Sequence, residues 1–143
     1  MKRGPPEELL FVYGTLRTGF ENPLARRIRK EARFLHPARF TAAILVDLGH
    51  YPGLVPVADS NSVVEGDLFG LPPRDDLLDA LDAYEGCSKD PEHPGEYFRE
   101  KHGVLDPDGR TLSAWTYLLN RPSAGLPVVT GGDYLKYIHN QRR

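Results

Sequence analysis

Leu9-Leu10-Phe11-Val12-Tyr13-Gly14-Thr15-Leu16-Arg17-Thr18-Gly19, running on to Asn22-Pro23, is the stretch on which the reading of this chain turns. Residues 9 to 12 are consecutive large apolar side chains and read as a buried strand, while Asn22-Pro23 reads as a helix N-cap followed by proline in the first helical turn. The loop between them is punctuated by Gly14 and Gly19. Gly14 lets the backbone take conformations closed to other residues, so the amides after it can converge into a cradle for an oxygen with negative character. The plainer alternative is that Gly14 only makes a turn.

Working outward, 143 residues suit one domain with a real core. The expected division is a polar lead-in at 1–8, a single domain at 9–139 and a polar tail at 140–143. With 18 basic and 20 acidic residues the formal net charge is -2, so no global field favours nucleic acid or an anionic membrane. Cys87 has no cysteine partner, no apolar run reaches the roughly 18 residues of a membrane span, and no apolar stretch of a signal peptide follows Met1-Lys2-Arg3. A cytoplasmic protein is the expectation. The 14 glycines and 13 prolines stand singly between periodic segments and punctuate a turn-rich fold.

A helix from Pro23 to about Glu31 carries a thin apolar face at Leu24 and Ile28, with Arg26, Arg27, Arg29 and Lys30 as a solvated basic face. Residues 32–46 read as one long bent strand or two short ones broken at Pro37, with Phe40, Ala42, Ile44 and Val46 on one side. Extended structure resumes at Leu54 after the loop Asp47 to Gly53, and Val63 to Leu71 is a strand whose glycines imply bending or close backbone approach. A helix from Arg74 to Glu85, with Asp75 and Asp76 in its first turn and Gly86 as its stop, carries the stripe Leu77, Leu78, Leu81 and Tyr84. Strands at Glu96 to Leu105 and Thr111 to Leu119 flank the turn Asp106-Pro107-Asp108-Gly109, and a short helix is expected near Asp133 to His139.

Among the acids of the second helix, Glu85 stands apart. At about 100° per residue it lies roughly 20° from Leu78 and 40° from Leu81, whereas Asp76 and Asp79 fall more than about 100° away. If the helix persists to Glu85, the carboxyl faces the core or a pocket against it. Desolvation by the leucines and the negative helix C-terminus would then both raise its pKa, which suits a group that accepts and returns a proton. If the last turn frays, the side chain swings into water.

Other chemistries fail on their own residue requirements. Gly14 and Gly19 match the outer glycines of a phosphate loop, but Phe20-Glu21 stands where Lys-Ser or Lys-Thr is needed. There is no G-x-S-x-G elbow, and the five histidines lack metal-ligand spacing, so neither a serine hydrolase nor a metal site is expected. Cys87 as a nucleophile would need a base that spacing does not supply.

Taken in order, the segments F-V-Y-G-T-L at Phe11 to Leu16, L-G-H-Y-P-G at Leu48 to Gly53, V-x-G-x-L-F at Val64 to Phe69, L-D-A-Y-E-G at Leu81 to Gly86 and Y-F-R at Tyr97 to Arg99 resemble the gamma-glutamylcyclotransferase-like superfamily. The gamma-glutamylamine cyclotransferase branch and related small bacterial members are the most similar. This resemblance implies an α+β fold, a small mixed β-barrel with packed helices. It implies a small-molecule gamma-glutamyl substrate, no cofactor, and conversion to 5-oxoproline with release of an amine. By resemblance, Tyr13, Gly14, Thr15 and Leu16 hold the gamma-glutamyl group, and Glu85 is the general acid/base. Tyr51 and Tyr97 are further pocket candidates and Arg99 a candidate to orient a strand or a carboxylate, with core or hairpin packing as the alternative for each, and Trp115 and Tyr117 are expected as core and strand-pairing residues. Near Leu126 to Gly132 the chain lacks a tyrosine with which some members contact substrate. A non-catalytic small-ligand module on the same pocket is the alternative. The sequence does not fix the leaving amine or the oligomeric state.

Overall fold

The computed structural model describes residues 8–17, 22–73, 76–86 and 95–141. The lead-in before Glu8, Thr18, Gly19, Asp75, Cys87 and the last two residues of the tail lie outside them. Strand β1 (Leu9–Val12) pairs antiparallel with β5 (Val63–Gly70), from Leu9 opposite Gly70 to Val12 opposite Asp67. β5 pairs with β2 (Arg33–Thr41), β2 with β6 (Tyr97–Leu105), and β6 with β7 (Thr111–Leu119), all antiparallel. A parallel contact between Leu10 of β1 and Trp115 of β7 closes the ring. The protein is therefore a mixed α+β structure built on a closed five-stranded barrel, as the resemblance implies.

Because side chains alternate across a strand, β1 serves two cores. Phe11 joins Ala38, Phe40, Val64, Leu68 and Leu118 in one buried cluster. Leu10 and Val12 join a second, with Phe69 of β5, Ile28 of α1 (Pro23–Glu31) and Leu77 and Leu81 of α2 (Leu77–Tyr84). Close approach of β1 and β5 demands glycine at position 66, where a Cβ would stand 2.5 Å from both Phe11 Cζ and the Val12 carbonyl oxygen. This is the approach anticipated for the glycines of that strand.

Asn22 caps α1 as expected. Its side chain accepts from the Ala25 amide at 2.8 Å and also donates to the Thr15 carbonyl at 2.6 Å, tying the helix start to the loop after β1. The buried face is Ala25 and Ile28, with Leu24 only half-buried. Arg27 of the basic face pairs with Glu31 and with Asp76 at the start of α2.

Strand β2 runs through Pro37, opposite Asp67, and the break falls at Ala42 instead. Ala42 has φ of 55°, a left-handed conformation costly for a residue with a Cβ. It shifts the side-chain parity by one. The inward set is Ala38 and Phe40 before the break and Ala43 and Leu45 after it, in place of Ala42 and Ile44. The chain thereby leaves the barrel to form a two-stranded sheet of β3 (Ala43–Asp47) and β4 (Pro52–Pro56). The segment after β7 runs along β3, with Val129 donating to the Leu45 carbonyl and Asp47 to that of Pro127. The final helix, α3 (Tyr134–Gln141), buries Tyr134 in the first cluster, and Tyr137 donates to Asp47 at 2.8 Å.

Helix α2 begins, as described, at Leu77 with Asp76 as its N-cap residue, and its last helical residue is Tyr84. Leu77 and Leu81 are buried, but Tyr84, expected in the stripe, is 52% exposed. Glu85 keeps helical backbone angles and its amide donates to the Leu81 carbonyl at 2.8 Å, so the turn does not fray before it. Gly86 ends the helix at φ of 69°, the left-handed stop that glycine adopts without a Cβ penalty.

Candidate active site

The end of β1 and the loop after it form one wall of a cavity of about 300 Å³. Tyr13, Gly14, Thr15 and Leu16 all line it, and the Arg17 amide closes the turn onto the Gly14 carbonyl at 3.0 Å. Gly14 does not use its conformational freedom, since its backbone is not left-handed. What requires glycine here is proximity: a Cβ would lie 2.8 Å from Cγ and 2.9 Å from Cδ of Pro52. The loop is pinned from behind by Arg17, whose guanidinium is buried between Asp67 at 3.4 Å and Asp133 at 3.1 Å.

Tyr13 crosses the fold. Its hydroxyl donates to the Tyr117 carbonyl at 2.6 Å and accepts from the Leu54 amide at 3.3 Å, linking β1, β7 and β4. Tyr97 and Tyr51 both reach the cavity, with ring centroids 6.4 Å apart. The Tyr97 hydroxyl donates to the Pro52 carbonyl at 2.7 Å, and burial drives its pKa upward.

Opposite the loop, the end of α2 brings Glu85 to the same cavity. The left-handed turn at Gly86 and a bond from the Glu96 amide to the Gly86 carbonyl at 3.1 Å place a second carboxylate, Glu96, on this wall. The Glu85 carboxyl makes no hydrogen bond to another described residue. Its pKa is pushed up to about 7, first by desolvation and then by the charge of Glu96. The upward direction matches the angular argument, and the charge of Glu96 is a contributor that spacing did not indicate.

Glu96 was not singled out from the sequence, where it only opens the expected strand Glu96 to Leu105, although its Tyr51 partner was. The Tyr51 hydroxyl donates to both Glu96 oxygens, at 2.9 and 3.0 Å, and its own pKa is raised by that bond. Tyr84, Pro52 and Tyr117 are further lining residues that spacing did not identify. Tyr117 is more than a pairing residue, because its hydroxyl donates to Asp82 at 2.6 Å. Asp82 is also held by the guanidinium of Arg99 at 2.8 and 3.1 Å, the carboxylate-orienting role expected of that arginine. Arg99 stacks 4.2 Å over the ring of Trp115.

The cavity thus lies between a barrel-end loop and a desolvated glutamate on an α+β barrel. The model of the gamma-glutamyl cyclotransferase, AIG2-like family matches residues 10–136, and the chain belongs to that family. It is 33% identical over 126 residues to the gamma-glutamylcyclotransferase family protein YtfP of Escherichia coli K12, covering 88% of this chain and 95% of that one. It is 34% identical over 114 residues to the gamma-L-glutamyl-butirosin B gamma-glutamyl cyclotransferase of Niallia circulans, covering 78% and 67%. The crystal structure of an AIG2-like protein from Mus musculus shares the fold with a TM-score of 0.68 at 21% identity, over 90% of this chain and 88% of that one. Among the described residues, no helix is long and apolar enough to cross a membrane.

Proposed function

We propose that the protein converts a gamma-glutamyl amide to 5-oxoproline and a free amine, with Glu85 as general acid/base. The observation that carries this reading is the Glu85 carboxyl, facing the Gly14–Leu16 loop across one cavity with its pKa pushed up to about 7. A carboxyl of that pKa exchanges protons near neutrality, where an ordinary glutamate is a weak base.

In the reaction, the substrate's α-ammonium gives a proton to the Glu85 carboxylate, and the freed amine attacks the side-chain amide carbonyl. A C–N bond closes the five-membered ring. The resulting oxyanion is met by backbone amides of the Gly14–Leu16 loop, which is anchored by Arg17 and Asn22. Collapse of the intermediate breaks the original amide C–N bond as Glu85 returns its proton to the departing amine, and the ring nitrogen gives up its surplus proton through the freed Glu85 carboxylate to the released amine, which departs as an ammonium ion. Attack is intramolecular, so a pocket that folds the gamma-glutamyl chain removes much of the entropic barrier. The balance of atoms and electrons requires no redox partner and no cofactor. Holding of the gamma-glutamyl group by Tyr13, Gly14, Thr15 and Leu16 is part of the same proposal, with the rings of Tyr51 and Tyr97 as side walls.

Incubation with a panel of gamma-glutamyl amides, including gamma-glutamyl-lysine and glutathione, followed by 5-oxoproline detection, tests the proposal. Release by the wild type and its loss in Glu85→Gln is the expected result. Binding without product across the panel overturns it.

A further inference from the structure

Helix α2 meets the rest of the fold through Leu77 and Leu81, whose apolar burial holds the helix against the barrel but has no direction. Its two ends carry directional ties. At the start, Asp76 pairs with Arg27 of α1. At the last turn, Asp82 receives the Arg99 guanidinium through both oxygens, at 2.8 and 3.1 Å, and the Tyr117 hydroxyl at 2.6 Å. Arg99 and Tyr117 stand directly opposite each other on β6 and β7, so a single rung of that hairpin grips the helix. The guanidinium stacks on Trp115, and the Arg99 and Asp82 side chains are only 21% and 24% exposed, so water competes weakly for the fork.

Tyr117 also reaches the opposite wall of the cavity. Its carbonyl accepts from the Tyr13 hydroxyl at 2.6 Å, and Gly14 follows Tyr13 directly in the chain. A hydrogen-bonded path therefore runs from the last turn of α2 to the start of the loop, with Tyr117 serving Asp82 by its side chain and Tyr13 by its main chain. The proposed reaction uses neither Asp82 nor the Tyr117 hydroxyl.

We infer that Asp82 and Tyr117 are positioning residues, which hold the Glu85 carboxyl at a fixed distance from the Gly14–Leu16 loop. This rests on the cyclotransferase reading. Asp82 and Glu85 are three residues apart, roughly 60° around the axis, so a tie at one fixes the angle of the other. For a helix about 10–12 Å across, a rotation of about 10° carries a group at the rim by about 1 Å. A misplacement of that size is enough to cost about 10²-fold in rate.

The test uses Tyr117→Phe, which removes one oxygen and no charge, and the double variant Asp82→Ala/Arg99→Met, which removes both charges together. Glu96, Tyr51 and Tyr97, the titratable groups beside Glu85, are unaltered in both. For 5-oxoproline release, kcat per native molecule is expected to fall about tenfold in Tyr117→Phe and about 10²-fold in the double variant, with KM within about threefold of wild type. As the last turn shifts towards water, Glu85 loses desolvation, and the acidic limb of kcat/KM moves to lower pH in both. Arg27→Met, which cuts the tie at the other end of α2, is expected to lower stability and leave kcat and the limb in place. A kcat within about twofold of wild type, or an unmoved limb, in either positioning variant overturns the inference. Should the wild type release no 5-oxoproline, the cyclotransferase reading fails separately. An NMR titration of carboxyl-labelled glutamate, with the Glu85 signal assigned by its loss in Glu85→Gln, then decides the positioning: a lowered Glu85 pKa in both variants supports it, and an unchanged one overturns it.

Discussion

Gly14 and the ring of Pro52 pack so closely that a single methyl group does not fit between them: a Cβ on Gly14 would come within 2.8 Å of Pro52 Cγ. Both residues line the cavity, one from the loop after β1 and the other from the start of β4. Gly14→Ala must therefore push two pocket walls apart. The expected outcome is a loss of about 1–3 kcal/mol in unfolding free energy, with a larger proportional loss in kcat/KM for 5-oxoproline release. Denaturant titration and steady-state kinetics on the same preparation check it.

Glu85→Gln should abolish turnover and stabilise the protein. Removing a general acid/base of this kind costs about 10²–10⁴-fold. The Glu85 pKa in the folded state, about 7, lies above the ordinary glutamate value of 4.5. The folded state therefore binds more protons than the unfolded one, and this contribution to stability is present below about pH 4.5 and is lost as pH rises through about 7. Glutamine has no charge to desolvate, so the variant should exceed the wild type by about 1–3 kcal/mol at pH 8, with the advantage shrinking towards pH 4.5. Melting curves across that range, alongside activity, provide the check.

The acidic limb of kcat/KM should report the same group. Glu85 must be ionised to take the α-ammonium proton, so activity falls as pH drops below about 7. Glu96 raises that pKa by its charge, and Glu96→Gln should move the limb to lower pH. A pH series on both proteins measures the displacement, and a limb that stays in place would separate Glu96 from Glu85.

Arg17→Met should destabilise by about 3 kcal/mol or more, because it removes the buried guanidinium that pairs with both Asp67 and Asp133. The loop it anchors carries Gly14 to Leu16, so kcat/KM should fall even in the fraction that remains folded. Activity normalised to native protein at low temperature distinguishes the two effects.

Much of this was legible in the residues. The strand at Leu9–Val12, the Asn22 cap, the glycine stop at 86 and the inward turn of Glu85 all follow from local rules of capping and periodicity, which need only neighbours in sequence. Ala42 was not legible. Alanine carries no signal for a left-handed backbone, and Pro37 offered a more conspicuous break that β2 accommodates. Glu96 was missed for a different reason. Its position beside Glu85 depends on a backbone bond to Gly86 across a long connection, and its charge on that carboxyl has no trace in spacing.

The barrel closes through β1, β5, β2, β6 and β7 alone, yet Tyr51 and Pro52 reach the cavity from the β3–β4 hairpin that departs at Ala42. One wall of the cavity is thus supplied by a part of the chain that takes no part in closing the barrel. A change in the length or composition of the turn at 48–51 can reshape the pocket while leaving every rung of the barrel in register. One left-handed alanine gives this small protein an adjustable wall on a fixed frame.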